Sequence, residues 1–127
     1  MKIKIQGKNI EITSAINDYI IKRVTNLGKI LDKLEKKTGE IFVNFDVAKT
    51  TNHHKAGEVF RAECSIETKR GNYFSSVDEE DLYTAIDAVK ENLFRDISKT
   101  KEKKRSLFNY GARKIKDTIK GIRNWNN

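Results

Sequence analysis

Residues 60–77 read Phe-Arg-Ala-Glu-Cys-Ser-Ile-Glu-Thr-Lys-Arg-Gly-Asn-Tyr-Phe-Ser-Ser-Val. Phe60, Ala62, Cys64, Ile66 and Thr68 alternate with Arg61, Glu63, Ser65, Glu67 and Lys69. That period of two marks a strand with one face in a core and one in water. Gly71-Asn72 is a tight hairpin signal, after which Tyr73 to Val77 returns as a shorter strand. Upstream, Ile41, Val43, Phe45 and Val47 alternate with Phe42, Asn44 and Asp46, and a polar loop from Lys49 to Gly57 joins the two runs. The centre of the chain is therefore a run of hairpin-linked antiparallel strands.

The flanks supply the cover. Met1-Lys2-Ile3-Lys4-Ile5-Gln6 alternates as a half-buried strand, and Gly7-Lys8-Asn9 is a turn signal. Thr13 or Ser14 caps a helix whose early turns hold Asp18, where the helix dipole favours an anion. Ile16, Ile20, Val24, Leu27, Leu31 and Leu34 recur at helical spacing on one face. Gly28 lies inside this helix, at a cost of up to about 1 kcal/mol against alanine, and is expected where another backbone packs close. Lys36, Lys37 and Gly39 form a C-terminal stop. After the strands, Asp78-Glu79-Glu80-Asp81 starts a second helix whose buried stripe is Leu82, Ile86, Val89, Leu93 and Ile97. The order β-α-β-β-β-α predicts an α+β fold: a two-layer sandwich of a four-stranded mixed sheet with two helices on one face. The first strand reaches the second through a helical crossover, so that pair is parallel. The open sheet face is expected to show Asn44, Asp46, Arg61, Glu63 and Glu67.

Charge narrows the function. Of 26 Lys/Arg and 18 Asp/Glu, residues 1–87 hold 14 of each, so the excess of +8 falls wholly in residues 88–127. A segregated basic segment fits a polyanionic partner, or a solubilising tail. The N-terminus lacks the apolar stretch of a signal peptide, and the lone Cys64 forms no disulfide framework, so a cytoplasmic protein is expected. At about 100° per residue, Lys22, Lys29, Lys33 and Lys36 share the side of the first helix opposite its apolar face. Lys90, Arg95, Lys99, Lys101, Lys103, Lys104 and Arg105 continue the basic character on the second. Two neighbouring ridges of this kind suit phosphate backbones, because each neutralised phosphate releases counterions.

Chemistry has no visible candidate. His53, His54 and Cys64 match no zinc spacing, and no cofactor is implied. Asp78 to Asp81 read as capping residues. Neither a phosphate loop nor a nucleophile elbow is present, so no enzyme is expected. From about Arg105 the pattern changes to a basic segment holding Phe108, Tyr110 and Trp125. Its aromatics fit stacking on unpaired bases or docking in an apolar groove.

Across residues 1 to about 104 the chain resembles the ribosome hibernation factors, a family that includes hibernation promoting factor and the ribosome-associated inhibitor. The likeness rests on Met1-Lys2-Ile3-Lys4-Ile5-Gln6-Gly7-Lys8-Asn9, on Glu11-Ile12-Thr13 with Ala15, Ile16 and Tyr19, and on Asp81-Leu82-Tyr83-Thr84-Ala85-Ile86-Asp87 followed by Leu93. It implies the same β-α-β-β-β-α arrangement, similar to double-stranded-RNA-binding domains. It also implies binding to the small ribosomal subunit and its rRNA between head and body, over the positions of mRNA and of tRNA in the A and P sites. Carried onto this chain, the rRNA contacts are Lys22, Arg23, Lys29, Lys33, Lys90, Arg95, Lys99, Lys101, Lys103 and Lys104. Asp81, Tyr83, Ala85, Ile86 and Asp87 are signature residues, and for Tyr83 and Asp87 a purely structural role is the other reading. The expected layout is a ribosome-binding domain over residues 1–104 and a tail over 105–127, monomeric off the ribosome. The 22 residues after Arg105 are too few for the dimerisation domain of long family members. The competing reading is a free-standing module for structured RNA.

Overall fold

The computed structural model describes residues 1–51 and 57–117, with side chains placed up to Thr100 apart from Thr51. Four strands and three helices follow in the order β1 (Lys2–Lys8), α1 (Ser14–Asn26), α2 (Gly28–Thr38), β2 (Phe42–Thr51), β3 (Glu58–Thr68), β4 (Gly71–Glu79) and α3 (Leu82–Asp117). The chain divides into a compact unit, Met1–Arg95, and a second, Asp96–Asn127. The strands lie in sequence order, β1-β2-β3-β4. β1 runs parallel to β2 with Ile3 beside Val43, and the remaining pairs are antiparallel, Phe45 opposite Cys64 and Ile66 opposite Tyr73. The expected α+β sheet is thus present, with its parallel crossover pair.

One sheet face is dry. Val43, Phe45, Val47, Ala62, Cys64 and Ile66 are buried from the sheet side, and Ile16, Ile20, Val24, Leu27 and Leu31 from α1 and α2. Leu82, Ala85, Ile86, Val89 and Leu93 close the core from α3. Residues from all three groups surround a void of only about 10 Å³, too small to leave a gap of side-chain size there. Asn44, Asp46, Arg61, Glu63 and Glu67 stand on the opposite face, as the alternation requires.

The first helix departs from expectation. It is two helices, broken at Leu27 (φ −90°, ψ 4°), whose N–H bonds back to Val24 O at 3.0 Å in a tightened turn. The local sequence Thr25-Asn26-Leu27-Gly28 explains the break. Three of its residues are weak helix formers, and Thr25 Oγ1 donates to Ile21 O at 2.7 Å. Leu27 and Leu31 remain buried on either side. Gly28 does not mark a close backbone approach either: a Cβ there would meet nothing within 4 Å.

The hairpin reverses slightly earlier than Gly71-Asn72. Thr68 pairs with Gly71, so Lys69-Arg70 form the turn and Gly71 (φ +138°) opens β4. Thr68 stitches the reversal by accepting from Arg70 N–H at 3.1 Å and donating to Gly71 O at 2.6 Å. The helix starts follow the sequence. Thr13 Oγ1 accepts from Ile16 N–H at 3.2 Å, and Asp81 accepts from the N–H and hydroxyl of Thr84 at 2.9 and 2.8 Å. Asp78 does not cap α3; it grips Arg61 across the sheet at 2.7 and 3.1 Å.

Two outcomes are expected. Gly28→Ala fills open space at an ordinary backbone angle, so it should raise the unfolding free energy by about 0.4–1 kcal/mol, read as a higher urea midpoint at unchanged slope. Burial, with Asp46 nearby, pushes the Cys64 thiol up to about 12. The folded chain therefore holds that proton more tightly than the unfolded one. This contribution to stability is intact below about pH 9 and fades as pH rises towards 12. At neutral pH, a disulfide reagent should label Cys64 about a hundredfold faster in denaturant than in buffer.

Candidate nucleic-acid interface

α1 and α3 lie side by side in the same direction, as their contacts show. Tyr19 meets Tyr83, Arg23 meets Asp87, and Val24 and Leu27 share the small void with Lys90 and Leu93. Both helices therefore point their C-terminal ends the same way. Charge follows that direction. Asp18, Glu80 and Asp81 lie at or near the N-terminal ends, whereas Arg23 stands in the last turn of α1 and Lys36 and Lys37 in the last turn of α2. The negative pole of a helix dipole favours cations there.

The sequence-derived contact residues fare differently in this layer. Lys22, Lys29 and Lys33 are exposed and make no ion pair among the described residues, while Leu31 between the latter two is buried. Lys99 is exposed. Arg95 is exposed and donates to Asn92 Oδ1, and Asn92 donates to the buried Ser75 hydroxyl at 3.0 Å. Lys90 is different: its side chain is half-buried along the core rim, with its ammonium 3.0 Å from Glu91. Lys101, Lys103 and Lys104 are on the helical backbone of α3, but their side chains lie outside the described residues. So do the C-terminal aromatics, and His53 and His54 fall in the undescribed stretch of residues 52–56. Among the described residues no group of acidic, His or Cys side chains could hold a metal. No described helix is long and apolar enough to cross a membrane.

Arg23 is committed inside the protein. Its Nη2 donates to the Tyr19 hydroxyl at 3.0 Å, and that hydroxyl donates to Asp87 Oδ1 at 2.7 Å. Arg23 Nε lies 2.9 Å from the same carboxylate oxygen but off hydrogen-bond direction, so the contact is an ion pair only. The guanidinium carbon sits 4.6 Å from the centre of the Tyr19 ring, and Tyr83 packs edge-on to that ring at 4.7 Å. Burial and the bond to Asp87 hold the Tyr19 phenol above its usual range, and the Arg23 pKa is raised by its bond to Tyr19. Of the signature residues, Asp87 and Tyr83 bind α1, Asp81 caps α3, and Ala85 and Ile86 are buried in the core.

Sequence reading missed this cluster, although a signal existed. Tyr19/Arg23 and Tyr83/Asp87 are both spaced by four, which stacks each pair on one helix face. It also missed Phe94, which stands 45% exposed between the helical stripe and Arg95.

Comparison with known proteins adds an independent line. Residues 3–105 match the family model described as Sigma 54 modulation protein / S30EA ribosomal protein. The chain is 27% identical over 112 residues to the ribosome hibernation promoting factor of Pseudomonas putida, covering 88% of this chain and 98% of that one. It is 33% identical over 106 residues to the ribosome-associated factor Y of Haemophilus influenzae, covering 84% and 88%. Among solved structures, the N-terminal domain of Protein Y from Thermus thermophilus superposes with a TM-score of 0.62 at 30% identity, over 79% of this chain and 99% of that domain.

Asp87→Asn removes the charge that holds Arg23 while keeping an oxygen for the Tyr19 hydroxyl, and is expected to cost about 0.5–1 kcal/mol of stability in urea unfolding. Tyr19→Phe should cost about 0.5–1.5 kcal/mol. A loss below about 0.5 kcal/mol for Asp87→Asn would show that the cluster does not tie the helices together.

Proposed function

This chain belongs to the Sigma 54 modulation protein / S30EA ribosomal protein family, and we propose that it is a hibernation factor that occupies the small ribosomal subunit and halts translation. The observation that carries the reading is a coincidence of extents. The family match over residues 3–105 spans the fold and the exposed lysines of its helical layer together. Relatives covered almost end to end carry names of ribosome-associated factors.

The mechanism is occupancy held by electrostatics. Lys22, Lys29, Lys33 and Arg95 meet rRNA phosphates, and Lys99, Lys101, Lys103 and Lys104 add phosphate contacts of their own. Lysine ammonium groups suit this because each is a point charge on a long stem that adapts to an irregular backbone. Arg23 and Lys90 act from beneath: one fixes α1 to α3 and the other rims the core. The bound domain then fills the space that mRNA and the A- and P-site tRNAs need. No bond is made or broken, and the work is done in the cytoplasm, where ribosomes translate.

Sucrose-gradient sedimentation of starved-cell lysate at low salt tests the reading: the protein should travel with ribosomal particles, and confinement to the top fractions would overturn it. Replacing Lys22, Lys29 and Lys33 by Glu should weaken ribosome binding about a hundredfold and flatten its logarithmic salt dependence by about two to three, with the fold unchanged by circular dichroism. Unaltered affinity would remove the helical face as the contact.

A further inference from the structure

The sheet ends on β4, whose outer edge pairs with no strand among the described residues. An open edge templates another strand unless short length, lysine, proline or a bulge blunts it. β4 has none of these four devices, and its charged residues, Asp78 and Glu79, stand only at its last two positions. It is 9 residues long, contains neither Lys nor Pro, and holds an unbroken register with β3. Its side chains are unfinished on both faces. Towards the helices Ser75 is buried, yet Tyr73 and Val77 are only half-buried. On the open face Phe74 is 60% exposed, more than any other large apolar side chain described. The flanks carry opposite charge: Lys69 and Arg70 precede the strand, and Glu79 and Glu80 close it.

These features complement themselves. A two-fold axis through Ser75, perpendicular to the sheet, sets β4 antiparallel to β4 of a second copy. Paired residues then share parity, so helix-covered faces join and open faces join. In that register Tyr73 lies opposite Val77 of the second copy, an aromatic against a β-branched side chain, the kind of cross-strand pair that stabilises sheets. Phe74 lies opposite Ser76 and diagonal to Phe74 of the second copy, within reach of an aromatic ring. Just beyond the strand, Arg70 of each copy faces Glu80 of the other. The contact between the two Phe74 rings lies on the axis and every contact between unlike positions occurs twice, as an isologous interface requires.

We propose that β4 is a self-association edge through which two copies of this chain merge their sheets into one. This goes beyond ribosome binding, stands apart from it, and differs from the monomer expected from sequence.

Sedimentation velocity on the purified full chain, from micromolar to submillimolar, tests it. The mass should climb from 14.7 kDa towards twice that value. Arg70→Glu and Glu80→Arg should each weaken association at least about tenfold by opposing like charges across the axis. An equimolar mixture of the two variants should restore it, because both contacts then join unlike charges. Phe74→Ser should weaken association without changing charge, and circular dichroism checks that each variant folds. A chain that keeps a mass of 14.7 kDa throughout, variants that associate like the parent, or a mixture with no gain over either variant would each overturn the proposal.

Discussion

Everything in this molecule depends on covering one face of a four-stranded sheet with too few helices to spare. The strands expose Val43, Phe45, Cys64 and Ile66 on that side, and only the stripes of α1–α2 and α3 are available to bury them. Two helices laid side by side leave a seam. The seam is where Tyr19, Arg23, Tyr83 and Asp87 meet: the Tyr19 hydroxyl, Arg23 Nη2 and Asp87 Oδ1 bond in series, and Arg23 Nε is held by charge alone. Once that seam is tied, α1 and the first turns of α3 are held side by side within the compact unit Met1–Arg95.

Much of this was legible in the sequence, for a physical reason. Alternation in residues 41–47 and 60–68 and helical spacing from Ile16 to Leu31 report burial directly, because a chain that folds must hide those side chains on one side. Helix starts were legible too, since Thr13 and Asp81 do what their chemistry allows at a helix N-terminus. The break at Leu27 was hidden because the apolar stripe runs straight through it, and periodicity does not register a change in axis. The hairpin was misplaced because Gly71 marks the positive backbone angle after the turn rather than the turn itself.

The exposed lysines were legible in kind but not in detail. A helical wheel places cations on the outer side, yet it does not tell which will find an internal partner. Arg23 falls beside the apolar stripe on the wheel, apart from the lysines, and is taken by Asp87, whose position 64 residues later only the fold brings near. Lys90 is drawn onto the core rim because its long stem covers apolar surface while its ammonium reaches Glu91. The lysines proposed to meet phosphates are chiefly those that the fold leaves exposed.

The parallel pairing of β1 with β2 has a consequence for how the protein is born. β1 emerges first but must wait for β2, with α1 and α2 between them, about 2–8 s at ordinary synthesis rates. The hairpins then form locally, but the sheet stays only partly covered until the Leu82–Leu93 stripe of α3 joins α1 and α2. A nascent copy is thus an unfinished shell through most of its own synthesis. A protein that silences ribosomes would, by this order of assembly, be unable to seize the one still making it.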